Sequence, residues 1–113
     1  MNQIEKEQKL TEIRRIVADY ATAKANRIYL GEYRKSLRSM LMKKYETEGA
    51  KTAAQQERNA MADPEYLELL EGLREAVETE EKLRYELVLH EQEFDAWKSR
   101  LYAKTAEMKA YGG

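Results

Sequence analysis

The sequence contains no cysteine and one proline, Pro64, among its 113 residues. Without cysteine there is neither a disulfide framework nor a thiolate metal site, and a reducing cytosol suits the chain. No apolar run is long enough to cross a bilayer, and no charged-then-apolar leader is present, so the expectation is a soluble cytoplasmic protein without a membrane partner. Strand signals are missing as well. Histidine occurs once, at His90. With no second histidine four residues away, no Glu three residues before it and no HExxH, His90 is expected to be a packing residue, and no metal site is expected. Ser36, Ser39 and Ser99 have no base in a recognisable constellation, and there is no Gly-rich phosphate loop. The expectation is a non-enzyme with no catalytic residue and no cofactor.

What the chain does have is Ala, Glu, Lys, Leu and Arg, which make up a little over half of it and mark long helices and coiled coils. Its length suits one helical domain over 1–113. Apolar residues from Ile4 through Ile13, Ile16, Tyr20, Leu30 and Leu37 to Leu41 recur at mostly helical spacing and predict a helix over about 2–47, ended by Gly49 as a C′ residue. Thr52 and Gln55 form a capping-box pair that starts a short helix over about 52–62. Asp63-Pro64-Glu65 combines an N-cap carboxylate, a proline at the first helical position and an acid favoured by the helix dipole, and opens a long helix over about 64–111. Gly72 is expected to be absorbed within it. The fold class is therefore all-α: a long antiparallel helical hairpin with a short connecting helix and coiled-coil packing.

Along the last helix, Tyr66, Leu73, Glu80, Leu87, Phe94, Leu101 and Met108 repeat every seven residues. A parallel line of Leu69, Ala76, Leu83, His90, Trp97, Lys104 and Tyr111 completes an a and d seam. In a bare hairpin Tyr66, Phe94, Trp97, Leu101 and Met108 would lie partly in water. That apolar surface predicts a homo-oligomer, with Phe94, Trp97, Leu101 and Met108 as the candidate interface. Glu80, inside the seam, needs a cationic partner, and an antiparallel register offers Arg27 or Arg34.

Net charge is near zero but segregated. The stretch 24–45 carries Lys24, Arg27, Arg34, Lys35, Arg38, Lys43 and Lys44 against Glu32 alone; 63–95 is acidic; the tail has Lys98, Arg100, Lys104 and Lys109 against Glu107. On a helical wheel Tyr20, Lys24, Arg27, Gly31, Arg34, Lys35, Arg38 and Tyr45 share an arc of about 100°. Ala23, Leu30, Tyr33, Leu37, Met40 and Leu41 lie on a neighbouring apolar arc. Lys24, Arg27, Arg34, Lys35, Arg38, Lys43 and Lys44, with Tyr20 and Tyr45 for stacking, are thus candidate contacts to single-stranded nucleic acid. The opposing reading is that the basic stripe pairs with the acidic helix of its own chain.

Near the end of the chain, Asp95-Ala96, Lys98-Ser99-Arg100, Tyr102 and Ala103 resemble the tail of phage UvsY-type recombination mediators over about a tenth of the chain. The resemblance implies a phage-encoded, non-catalytic protein in the host cytoplasm that binds single-stranded DNA and forms a ring-like oligomer. It also implies a recombinase and a single-strand-binding protein as partners. The alternative is a helical protein–protein interaction module, either a structural coiled coil or a phage inhibitor that engages a host enzyme through 63–95.

Overall fold

The computed structural model describes residues 2–112, which form three helices: α1 over Gln3–Thr47, α2 over Ala53–Ala62 and α3 over Pro64–Gly112. No strand occurs among the described residues. The long helices run antiparallel, so the all-α hairpin with a short connecting helix is the observed architecture. None of the described helices is long and apolar enough to cross a membrane.

The helix ends follow from local chemistry. Asn2 opens α1, its Oδ1 accepting from the Glu5 N–H at 2.8 Å while the Glu5 carboxylate accepts from the Asn2 N–H at 3.3 Å, which is a reciprocal cap. At the other end Gly49 has φ 112°, a left-handed conformation that strains any residue with a Cβ. The Ala50 N–H donates to the Tyr45 carbonyl and the Gly49 N–H to the Glu46 carbonyl, the two bonds of a Schellman stop. Thr52 then caps α2 through its Oγ1, which accepts from the Gln55 N–H at 3.2 Å. The return bond of the expected capping box goes one residue further back: Gln55 Oε1 accepts from Lys51 rather than Thr52.

Contacts divide the chain into two compact units: residues 1–20 with 82–113, and residues 21–81. In the second unit, Leu37 and Leu41 of α1, Ala60 of α2 and Tyr66 of α3 form the buried core, with Met42, Leu69 and Leu70 packed against it. Tyr66 is buried rather than partly wet as expected for a two-helix hairpin, because α2 lays Ala60 beside it and adds a third wall. Ala76 is buried further along α3. The first unit is a thinner pair of helix segments in which Ile16 is the fully buried side chain.

A second correction concerns the faces of α1. The axis of burial runs through Leu37 and Leu41, on the side of the apolar arc that borders the basic one. Tyr33 and Met40, at the far edge of the apolar arc, are therefore exposed, whereas Arg27 and Tyr45 of the basic arc turn inward to acidic partners. Substituting Leu41→Ala should lower unfolding free energy by about 2–5 kcal/mol, the range for emptying a packed leucine site. Leu101→Ala, at an exposed position, should cost less than about 0.5 kcal/mol. Urea titrations followed by circular dichroism would measure both.

Candidate nucleic-acid interface and the carboxylate sites

The inward-turned residues of the basic block are held by two buried acids. Arg27 grips Glu80 with two nitrogens: Nε donates to Oε2, and Nη2 donates to Oε1 at 3.1 Å. A fork of this kind fixes both distance and orientation, and it identifies the arginine that the seam glutamate requires. The Glu80 side chain is 9% exposed and that of Arg27 is 36% exposed, so the pair is a structural clasp inside the unit formed by 21–81.

Asp63 is the second acid. Its Oδ1 accepts from the Glu65 N–H at 2.8 Å, the N-cap bond that the Asp-Pro-Glu signature implies. Its Oδ2 accepts from the Tyr45 hydroxyl at 2.6 Å and from Lys44 Nζ at 3.5 Å. One carboxylate thus starts α3 and ties it to the last turn of α1. These hydrogen bonds, Tyr45 first and the Glu65 amide next, hold the Asp63 carboxyl below its ordinary range. The same contacts push the Lys44 ammonium and the Tyr45 hydroxyl upward, through attraction to Asp63 for the first and the hydrogen bond for the second. The ring of Tyr45 also lies 5.2 Å from Lys44 Nζ, and the Lys44 side chain is itself exposed.

The remaining members of the predicted interface are placed differently. Lys24, Arg34 and Lys43 are exposed and form no ion pair among the described residues. Lys35 and Arg38 are exposed too, with long pairs to Glu32 at 3.3 Å and Glu57 at 3.4 Å. Tyr20 is half-buried. Lys24, Arg34, Lys35 and Arg38 lie along one flank of α1 within the predicted arc. An aromatic pair, Tyr29 stacked on Tyr33 at 6.2 Å between ring centroids and 8° between planes, lies exposed on another side of α1, although Tyr33 falls within the apolar arc of the wheel. Its signal in the sequence was the four-residue spacing of two aromatics.

The predicted interface of α3 splits in two. Phe94 and Trp97 are half-buried in the first unit, tilted against each other with centroids 5.3 Å apart, and Lys6 of α1 lies 5.8 Å from the Trp97 ring. Since Lys6 of α1 lies level with Trp97 and Lys9 pairs with Glu93, the start of α1 is reached soon after Trp97, and every residue from 99 to 112 is exposed. Leu101 and Met108 belong to this uncovered stretch, 45% and 65% exposed.

His90 is half-buried, as a seam position implies, but it does not face apolar neighbours alone. Glu86, one turn before it, and Glu12, across from it on α1, bring carboxylate oxygens within 4.8 Å of a ring nitrogen and of each other. The four-residue spacing of Glu86 and His90 was legible in the sequence; the third member, from α1, depends on the register and was not.

The depressed Asp63 carboxyl sets a pH dependence. A group whose pKa is lowered on folding stabilises the native state above its unfolded value and loses that contribution as pH falls through the folded one. Asp63→Asn should therefore be less stable than the parent at pH 7, with the gap in urea midpoint closing below about pH 4, where the carboxylate of the parent becomes protonated. Comparison of the chain with protein-family models, curated proteins and solved structures finds no match.

Proposed function

We propose that this is a non-catalytic helical accessory protein that binds single-stranded DNA through the flank of α1 bearing Lys24, Arg34, Lys35 and Arg38. The observation that carries the reading is the division of labour within the basic block. Arg27 and Tyr45 turn inward to buried acids, whereas these four cations remain exposed along the same helix. The pairs of Lys35 and Arg38 with glutamates are exposed and cost little to exchange for phosphate. The resemblance of Asp95, Lys98, Ser99 and Arg100 to recombination mediators supports the same reading, and with it a recombinase and a single-strand-binding protein as partners.

Tyr45 is engaged by Asp63 and Tyr20 is half-buried, so binding is mainly electrostatic and tolerant of sequence. Four phosphate contacts correspond to a slope of about −3 in log affinity against log salt, or about a 50-fold loss between 50 and 200 mM salt. Fluorescence anisotropy with a labelled oligothymidylate would read this. Arg34→Glu with Lys35→Glu should weaken binding severalfold while the melting temperature moves by only a few degrees. Salt-independent or undetectable binding by the parent chain rules the reading out.

The uncovered end of α3 favours a second reading, an interaction module that self-associates. There the seam continues through Leu101, Met108 and Tyr111, the last of these 91% exposed, with no residue of α1 packed against them among the described residues. A helix segment of about 12 residues is marginal in water by itself and gains stability from a covering partner. Light scattering should then show an oligomer that Met108→Asp with Leu101→Asp converts to monomer; a parent chain that is monomeric at high micromolar concentration excludes it.

A further inference from the structure

The structure assigns a second role to Glu12, Glu86 and His90: we infer that they form a site for a divalent transition-metal ion of the zinc class. Glu86 and His90 stand one turn apart on the same face of α3, the arrangement in which a helix offers two ligands to one ion. Glu12 on α1 supplies the third donor from the facing helix, all three lying in the unit formed by 1–20 and 82–113. Their donor atoms lie within 4.8 Å of one another. Ligands around a tetrahedral ion at about 2.1 Å stand about 3.4 Å apart, so the donor atoms need approach one another by no more than about 1.4 Å to close the set.

A further observation points to a ligand. His90 Nδ1 is buried and has no hydrogen-bond partner, so the imidazole carries a nitrogen that the protein leaves unsatisfied. Buried polar groups rarely persist that way. One imidazole with two carboxylates also selects among ions: the nitrogen disfavours calcium and magnesium, and the lack of thiolate disfavours copper(I), leaving the divalent ions from manganese to zinc. Three protein ligands leave a fourth position for water.

The neighbouring cation makes the proposal sharper. Arg15 Nη2 donates to Glu12 Oε1 at 2.7 Å and lies 3.5 Å from Glu86 Oε1, so a guanidinium bridges the two carboxylates that the ion would use. Arg15 also reaches Asp19, from Nη1 to Oδ2 at 2.8 Å, and so has an anion to stay with when it releases the glutamates. Metal and Arg15 thus compete for Glu12 and Glu86. Lys9, which pairs with Glu93 nearby, adds to the positive field that the ion must overcome.

The competition separates a built site from stray binding to surface acids. Titration of the full chain with zinc chloride, against a chromophoric chelator and in parallel by calorimetry, should give one ion per chain. His90→Ala and Glu86→Gln should each weaken binding at least tenfold with helical content by circular dichroism unchanged. Arg15→Gln should strengthen it at least threefold, because the competing guanidinium is gone; a variant that merely unfolds the site would weaken it instead. Absence of binding by both the parent and Arg15→Gln overturns the inference, as does zinc binding that His90→Ala leaves intact.

Discussion

A single carboxylate decides where this hairpin turns. Asp63 sits in the one-residue gap between α2 and α3, buried, and its two oxygens do two tasks: Oδ1 caps α3 and Oδ2 receives the Tyr45 hydroxyl and Lys44 ammonium from the end of α1. Pro64 follows it, fixing the backbone at the first helical position where a missing N–H leaves nothing unpaired. Because the same side chain starts one helix and holds the end of another, the register of α3 on α1 is set at the turn. The core of Leu37, Leu41, Ala60 and Tyr66 lies beside this knot, and the Arg27 clasp on Glu80 confirms the same register further along.

That arrangement explains why a strongly basic stretch can lie in a nearly neutral protein without being wholly a ligand surface. Arginine and lysine from the block pair with two buried acids of the same unit, Glu80 and Asp63. Only the exposed and weakly paired cations keep charge to offer. The intrachain reading describes Arg27 and Tyr45, and the line between the engaged and the exposed members of the block follows the direction of the core.

Most of the fold was legible in the sequence because its punctuation is chemically explicit. Gly49, Thr52 and Asp63-Pro64 each have one favoured backbone role, and each boundary falls within a residue of where those roles place it. The face of α1 was less legible. A wheel weighs residues by type, and the burial axis is set by what α2 and α3 present, so Tyr33 was drawn too far in and Tyr45 too far out. The trio of Glu12, Glu86 and His90 shows the same limit, since local spacing reveals the two members on one helix and the third is brought by tertiary pairing.

The cation over Trp97 has an optical side. It is the only tryptophan in the chain, half-buried in the unit made from 1–20 and 82–113, with the Lys6 ammonium of α1 lying 5.8 Å from its ring. The unit built from 21–81 has none. Indole emission therefore reports the docking of the first turns of α1 on α3, while the tyrosine-rich turn around Tyr45 and Tyr66 stays silent at those wavelengths. The polypeptide carries a native fluorophore that views one helical pairing in isolation.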